Sequence, residues 1–339
     1  MSLEPEKKIA VLESFIAKQG AYADVRLENF ARMSGGVSHE MWSFDATLGG
    51  TAGRNSRKLV LRLDPTHEQT YTGRWGEFMV MRAAYREGIP VPEVLWLCED
   101  SALLGGPFFI MEFVNGETIA RRLLRDECYV QARERVAEQM AEILARIHRI
   151  DVRRHGLEFL PAPAHSAARE EVFRYQEIYR QFSADDPHPV LELAIRWLLE
   201  HHPRSEMRGV VHGDYRLGNV VYGPEGVRAI LDFEGAHVGD PMEDVGWIML
   251  RPWRYGEEHK PVAGLASREA FYAAYERASG IPVDPETVRF WEIFGNFRWA
   301  VITMRDGRAY SQWRPPSIEL ASIGRRTAES ELELLNLIG

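Results

Sequence analysis

Three polar side chains, Asp214, Asn219 and Asp232, follow short apolar runs and have the types that phosphoryl transfer requires. Asn219 comes five residues after Asp214, and Asp232 comes thirteen residues after Asn219. Phosphoryl transfer depends on positioning and charge neutralisation, so a carboxylate for the acceptor proton and oxygen ligands for magnesium meet its demands. The set predicts Asp214 as the catalytic base and Asn219 with Asp232 as magnesium ligands. Each residue alone is more typical of a turn, so the prediction rests on the set.

The segment between the two candidate ligands predicts a β-hairpin. Glycine and proline residues in 222–227 favour a turn, and apolar runs at 219–222 and 227–231 flank it. Because hairpin strands are antiparallel, Asn219 and Asp232 are expected near the same end of the hairpin.

The remaining pattern predicts an α+β fold with a small antiparallel-sheet lobe and a larger, mainly helical lobe. After a helix at 3–19, residues 31–114 give the order strand, glycine turn, strand, strand, helix, strand, strand, which favours a small antiparallel sheet. A polar loop is predicted at 49–57, and the helix of this part at 73–86. We therefore predict an N-terminal nucleotide-binding lobe at 1–114 and a helical C-terminal lobe at 115–339 that carries the catalytic loop, the metal loop and the acceptor site. Helices of the second lobe are predicted at 131–150, 168–183, 189–201, from near 241, 267–279, 285–305 and 317–337.

Composition narrows the functional class. The chain has 339 residues, 45% of them hydrophobic, and a formal net charge of −9, which argues against a general nucleic-acid-binding role. No apolar run reaches the length of a membrane span, and the charged N-terminus has no signal-peptide core. The missing span predicts no membrane partner, and two cysteines, Cys98 and Cys128, which cannot form a disulfide framework, predict a reducing, cytoplasmic location.

A glycine turn at residues 33–38 is a second candidate site. Gly35 and Gly36 allow a close backbone approach to a ligand, and Ser38 adds a hydroxyl. A plain hairpin turn makes the same demand on glycine, so both interpretations stay open.

At this point the sequence resembles a known family. Residues 212–214 (His-Gly-Asp) with Asn219 are similar to the catalytic loop of the aminoglycoside phosphotransferase and choline kinase group. Asp232, residues 239–241 (Gly-Asp-Pro) and Asp244 resemble the metal-binding loop and the following helix of that group. The resemblance implies a small-molecule kinase that uses ATP and Mg²⁺ and has a protein-kinase-like two-lobe fold.

The resemblance also implies roles for individual residues. Asp214 would be the base, with Asn219 and Asp232 holding one or two magnesium ions. The hinge, whose backbone addresses the adenine, would be Glu112, Phe113 and Val114, and the residues over the phosphates would be Gly35, Gly36 and Ser38.

Two charged positions need separate treatment. Kinases of this fold pair a strand lysine with a helix glutamate, and here the matching residues are Arg62 and Glu77. Arginine keeps the charge but differs in geometry, so Arg62 is predicted to be a working substitute, with a loss of nucleotide binding as the alternative. Arg216 is predicted either to meet the transferred phosphate or to form an ion pair with a nearby carboxylate.

Several neighbours are predicted to be structural. Asp240 precedes Pro241 and starts a helix, with Glu243 in a capping-box position. Asp244 is expected to brace the metal loop, and His212 and His148 to orient or pack.

The acceptor is the least defined part. Residues 212–219 and 290–298 resemble kinase-like domains related to those fused to acyl-CoA dehydrogenases, which implies a small-molecule hydroxyl acceptor such as a hydroxyacyl thioester or another alcohol. An aminoglycoside kinase and a nucleotide-binding pseudokinase remain alternatives.

The aromatic residues at 290–299 are predicted to lie in the core and not to line a pocket. Solvated helix faces are the favoured explanation of two arginine clusters, which are Arg121, Arg122, Arg125 and Arg325, Arg326.

Overall fold

The computed structural model describes residues 4–33, 40–50, 53–64, 72–183, 187–205, 207–312 and 322–339. In the N-terminal part, the elements are α1 (Pro5–Gly20), β1 (Asp24–Arg32), β2 (Glu40–Gly50), β3 (Gly53–Leu63), α2 (Gly73–Arg86), β4 (Val94–Cys98), α3 (Ser101–Leu104) and β5 (Phe108–Glu112). Further along the chain they are α4 (Ala120–Arg125), α5 (Val130–His148), α6 (Ala167–Ser183), α7 (Pro189–Glu200), β6 (Gly209–Val211), β7 (Val220–Gly223), β8 (Gly226–Ile230), β9 (His237–Gly239), α8 (Met242–Trp247), α9 (Arg268–Ser279), α10 (Pro285–Gln312) and α11 (Thr327–Ile338).

The chain forms two compact units. The first unit comprises Met1–Thr118, Ile150–Pro161 and Asn219–Ala236, and the second comprises Ile119–Arg149, Ala162–Gly218 and His237–Gly339. These bounds differ from the predicted division at residue 114, because the chain returns twice to the first unit. The predicted functional division into lobes stays a prediction.

The first unit is built on an antiparallel sheet in the order β1-β2-β3-β5-β4, which confirms the predicted fold class. Its core packs α1 against the sheet through Leu12, Phe15, Phe44 and Phe108. The polar loop predicted at 49–57 was wrong. The β2–β3 pairing runs from Glu40↔Leu63 to Gly50↔Gly53, because an exposed hairpin end can hold polar residues in strands.

Backbone hydrogen bonds attach the hairpin β7–β8 to the first unit. Glu117 and Tyr222 exchange both of their backbone bonds, at 2.9 and 3.0 Å, and Ile230 N donates to the Pro90 carbonyl at 2.8 Å. Gly116 is required beside this bridge, since an added Cβ would lie 2.7 Å from the Tyr222 carbonyl oxygen. The predicted hairpin is confirmed, and it places the two candidate metal ligands in the first unit.

The second unit is mainly helical, as predicted. Its central helix α10 buries the aromatic stripe, with Phe290, Trp291, Phe294 and Phe297 at most 2% exposed, which confirms the core interpretation. The structure adds α4 and the short pair β6–β9, which the pattern missed because each is brief. None of the helices among the described residues combines the length and apolar character that crossing a bilayer requires.

Asp240 starts helix α8, although by a different device from the one predicted. Its carboxylate accepts from Met242 N at 3.0 Å, and its carbonyl accepts from Glu243 N at 3.0 Å. The side chain of Glu243 instead binds His237 and Arg298. The predicted capping box was therefore wrong, because a buried arginine competes for that carboxylate.

Helices α8 and α10 approach closely at Gly246. A Cβ there would lie 2.7 Å from the Glu292 amide nitrogen and from the Trp291 carbonyl carbon. We expect Gly246→Ala to destabilise the protein by about 1–3 kcal/mol, because the two backbones must separate. Urea unfolding measures this effect, and the control is Gly50→Ala, whose Cβ would meet none of the described atoms within 4 Å. Equal midpoints for the two variants would contradict the prediction.

Candidate active site

Asp214 lies in the loop after β6, and Asp244 of α8 fixes that loop from behind. The Asp244 carboxylate accepts from His212 N at 2.7 Å and from Gly213 N at 3.0 Å. Its Oδ2 also lies 3.0 Å from Nε2 of the buried His148. Burial acts to raise the pKa of Asp244, but His148 and the backbone donors more than offset it, so the pKa is lowered and the carboxylate stays ionised. Asp244 thus braces the catalytic loop, whereas the sequence predicted it behind the metal loop.

The Asp214 carboxylate is held by two side chains of the second unit. The indole Nε1 of Trp247 donates to Oδ1 at 2.9 Å, and Nε of Arg216 lies 3.0 Å from both carboxylate oxygens. Of the two alternatives for Arg216, the structure contains the ion pair. Gly218 makes room for this arginine, since an added Cβ would lie 2.2 Å from its Nη1.

Arg298 of α10 supports the same carboxylate indirectly. Its Nη2 donates to the Gly213 carbonyl at 2.7 Å, and its guanidinium lies 4.6 Å from the centre of the Trp247 ring that holds Asp214. Its Nη1 donates to Glu243 at 3.1 Å. Sequence reasoning missed Trp247 and Arg298. The available signal was a single cation inside a buried aromatic stripe, which requires a buried partner.

A buried group of metal-ligating side chains lies near Arg298. Glu171, His237 and Glu243 place one ligand atom each within 4.8 Å of one another. Arg298 pairs with Glu243, and Arg174 pairs with Glu171 at 2.6 Å. Each carboxylate has an arginine partner, so the group forms an internal ion-pair network, in which burial and the nearby Glu243 raise the pKa of Glu171 to about 7.

In the first unit, the hairpin positions Asn219 and Asp232. Val220 pairs with Ile230, and Leu231 N donates to the Asn219 carbonyl at 2.9 Å, so Asn219 is held beside the residue that precedes Asp232. Asp232 has φ of +70°, a left-handed conformation that costs a non-glycine residue energy and often marks a functional position. The hairpin therefore turns the backbone sharply where the candidate ligand lies.

Arg62 of β3 lies among three carboxylates. Its Nη1 is 3.1 Å from Glu77 Oε1, and its Nη2 is 2.7 Å from Asp232 Oδ1 and 3.3 Å from Glu234 Oε2. Burial alone would lower the pKa of Arg62, but Glu77, Asp232 and Glu234 more than offset that, so the pKa is raised and the side chain stays cationic. Arg74 also binds Glu77. Arg62 thus forms the ion pair with Glu77 that the sequence predicted.

The predicted hinge follows β5, and two of its amides are engaged by neighbouring backbone. Glu112 N donates to the Glu93 carbonyl at 2.9 Å, and Phe113 N donates to the Lys58 carbonyl at 3.0 Å. The N–H of Val114 has no hydrogen-bond partner in the part of the chain that the structure describes. Three other predicted nucleotide-binding residues lie outside the described residues, namely Gly35, Gly36 and Ser38.

The donor set in the first unit fits a hard divalent cation. Asp232 offers a carboxylate and Asn219 an amide oxygen, which are ligands that Mg²⁺ accepts. Two arginines, Arg62 and Arg74, pair with four carboxylates, those of Asp64, Glu77, Asp232 and Glu234, so further positive charge is compatible with this region. The residues therefore fit magnesium, and their role as ligands stays a prediction.

Comparison with known proteins places the chain among phosphotransferases. The model of the phosphotransferase enzyme family matches residues 32–291. Acyl-CoA dehydrogenase family member 10 of Mus musculus is 32% identical over 259 residues, which cover 73% of this chain and 24% of that protein. Acyl-CoA dehydrogenase family member 11 of Gallus gallus is 32% identical over 278 residues, or 76% of this chain and 35% of that protein. The chain thus spans about a quarter to a third of the length of these relatives.

Solved structures share the fold. A protein from Ralstonia eutropha, provisionally described as an aminoglycoside phosphotransferase, is 24% identical, covers 96% of this chain and 97% of its own, and has a TM-score of 0.73. A thermostable mutant of aminoglycoside phosphotransferase APH(4)-Ia, in complex with AMP-PNP and hygromycin B, is 18% identical and covers 94% and 97%, with a TM-score of 0.59. The predicted resemblance is confirmed, and the chain belongs to the phosphotransferase enzyme family.

Proposed function

We propose that the protein is a magnesium-dependent phosphotransferase that moves the γ-phosphoryl group of ATP to a hydroxyl of a small molecule. The observation that carries this proposal is the Asp214 carboxylate, oriented by Trp247 on a loop that Asp244 fixes. A base that must accept a proton during attack needs a defined position relative to the acceptor hydroxyl.

In this proposal, the second unit handles the acceptor. The oxygen of the acceptor hydroxyl bonds to the γ-phosphorus while the bond between that phosphorus and the ADP oxygen breaks. Asp214 receives the proton that the hydroxyl loses. Arg216 pairs with the Asp214 carboxylate and, together with Trp247, holds it in a defined position for the acceptor hydroxyl.

The first unit handles the nucleotide. Val114 offers the N–H for the adenine, and Arg62 offers a cation for the phosphates while Glu77 orients it. Asn219 and Asp232 would hold magnesium, which supplies charge neutralisation on the phosphate oxygens.

The names of the relatives support one class of acceptor. Proteins named acyl-CoA dehydrogenases share the matched region, so a hydroxyacyl thioester or a related metabolite alcohol is the acceptor that we favour. The aminoglycoside alternative draws support from structures that share only the fold. The intact set of Asp214, Asn219 and Asp232 disfavours the pseudokinase alternative.

Two measurements test the proposal. Calorimetry with ATP should detect binding that strengthens when magnesium is added, and ADP release should accelerate when a suitable alcohol is supplied. Nucleotide binding without acceptor-dependent ADP release across a broad alcohol panel would instead support the pseudokinase.

Arg62→Lys tests the substituted lysine position. We expect activity to persist with KM for ATP raised by about tenfold, because one ammonium retains the charge but not the forked contacts to three carboxylates. Steady-state kinetics measures this, with Arg57→Lys as the control on the same strand, since Arg57 pairs only with Glu93 at 2.6 Å among the described residues. An unchanged KM for ATP would remove Arg62 from the nucleotide site.

A further inference from the structure

A cavity of about 630 Å³ lies within the second unit, and arginines dominate its wall. This volume is in the range of sites that hold small molecules. Among the described residues, the charged side chains along it are four arginines and two glutamates, namely Arg121, Arg216, Arg251, Arg326, Glu258 and Glu329.

Arg216 connects this cavity to the catalytic carboxylate. The same guanidinium that lines the cavity binds Asp214 through Nε and lies 4.8 Å from the ring centre of Trp253, another wall residue. A molecule in the cavity would therefore lie beside the candidate base, where an acceptor is needed.

Tyr255 lies on the cavity wall together with Arg121, Arg216 and Arg326. It lines the cavity and has φ of +53°, a strained conformation that often marks a functional position. Burial raises the pKa of the Tyr255 phenol. The cations Arg216, Arg326 and Arg121 oppose that rise, whereas the Asp214 carboxylate adds to it. Three arginines and the catalytic carboxylate thus act on one hydroxyl group.

The positive charge in the cavity is only partly balanced. Glu258 is shared by Arg251 at 3.0 Å and Arg254 at 3.6 Å, and Arg216 is paired with Asp214. Arg121 and Arg326 have no ion-pair partner among the residues that the structure describes. Glu329 also lines the cavity, so the four wall arginines face two wall glutamates and Asp214, and the remaining positive charge favours an anion there.

We infer that this cavity binds an anionic group of the acceptor, and that Arg121 and Arg326 determine this specificity. The inference rests on the proposed function and names its substrate class as hydroxyl compounds that carry a carboxylate or a phosphate. It disfavours polycationic aminoglycosides, because placing like charges together in a partly enclosed site is costly. The exposed Arg121 agrees with the predicted solvated helix face and the half-buried Arg326 does so in part, and the inference adds a binding role to both.

The two sources of negative charge are separated by matched acceptors in an ADP-release assay. One pair is a short hydroxy acid and its neutral amide. The other pair is the same hydroxyacyl group as a coenzyme A thioester and as an N-acetylcysteamine thioester, which lacks the phosphates. If KM is lower for the hydroxy acid than for its amide, the cavity recognises a carboxylate. If KM is lower for the coenzyme A thioester than for the N-acetylcysteamine thioester, the cavity recognises a phosphate. Equal KM values within both pairs, or a preference for an aminoglycoside, would overturn the inference.

The variants carry a matched control on the same elements. R121Q/R326Q removes two cavity charges, and R125Q/R325Q removes the neighbouring exposed arginines, so net charge changes equally. Loss of a hydrogen bond to a charged group is expected to raise KM for the anionic acceptor by about tenfold per arginine, with KM for ATP unchanged. A rise no larger than that of the control would contradict the assignment.

A binding measurement separates this inference from the proposed function. Calorimetry with inorganic pyrophosphate, in the presence of magnesium and saturating AMP-PNP, should show binding that R121Q/R326Q loses and R125Q/R325Q keeps. That result without turnover of any acceptor would refute the kinase proposal and keep the anion site. Turnover with charge-independent KM would refute the anion site and keep the kinase.

Discussion

Replacing Asp214 with asparagine is expected to lower kcat by about 10²–10⁴-fold while magnesium-dependent ATP affinity stays within about threefold of wild type. The amide cannot accept the acceptor proton, yet it can still accept the hydrogen bond that Trp247 Nε1 donates to Oδ1 at 2.9 Å. The loop should also keep its position, because Asp244 holds the amides of His212 and Gly213 independently of Asp214.

Single-turnover kinetics with the best acceptor and calorimetry with ATP measure the two effects separately. Asp126→Asn is a matched control in the same unit, since that carboxylate forms an exposed ion pair with Arg122 at 2.9 Å. If Asp214→Asn weakened ATP binding as much as it slowed turnover, Asp214 would belong to nucleotide binding, and the role as base would fail.

The local parts of this site could be predicted from the sequence. Asn219 and Asp232 flank a hairpin whose turn residues are evident in the sequence, and strand–helix order gives the antiparallel sheet with α2. The Arg62–Glu77 ion pair was expected from the resemblance to kinases, in which a strand cation pairs with a helix glutamate. Asn219 and Asp232 are close in sequence, and the strands and helices of the first unit show a clear hydrophobic period.

The supporting parts depend on packing that no local pattern encodes. Trp247 reaches Asp214 across 33 residues, and Arg298 reaches the Gly213 carbonyl across 85, through the approach of α8 and α10 at Gly246. The polar loop predicted at 49–57 failed for a related reason, because strand pairing overrides weak local propensity. Arg121 and Arg326 resemble ordinary surface arginines until the fold brings them to one cavity.

Arg298→Met is expected to lower the free energy of unfolding by about 3–5 kcal/mol, the largest stability effect that we predict. The variant leaves Glu243 without its arginine in a region where that carboxylate is 3% exposed, and it removes the donor to the Gly213 carbonyl. Methionine fills much of the volume beside Trp247, so the cost comes mainly from the uncompensated charge and the lost hydrogen bonds, and less from a cavity.

Urea unfolding of the full chain measures this effect, with Arg289→Met as the control on the same helix. Arg289 is exposed and bonds to the Leu337 carbonyl at 2.7 Å, so its loss should cost about 1 kcal/mol or less. Arg298→Lys should recover part of the stability, because it restores the charge opposite Glu243. Arg298→Lys should still lower kcat, since one ammonium cannot both donate to the Gly213 carbonyl and make the cation–π contact with the Trp247 ring. Full recovery of both stability and kcat by lysine would show that Arg298 acts only as a buried counter-charge and does not position the catalytic loop.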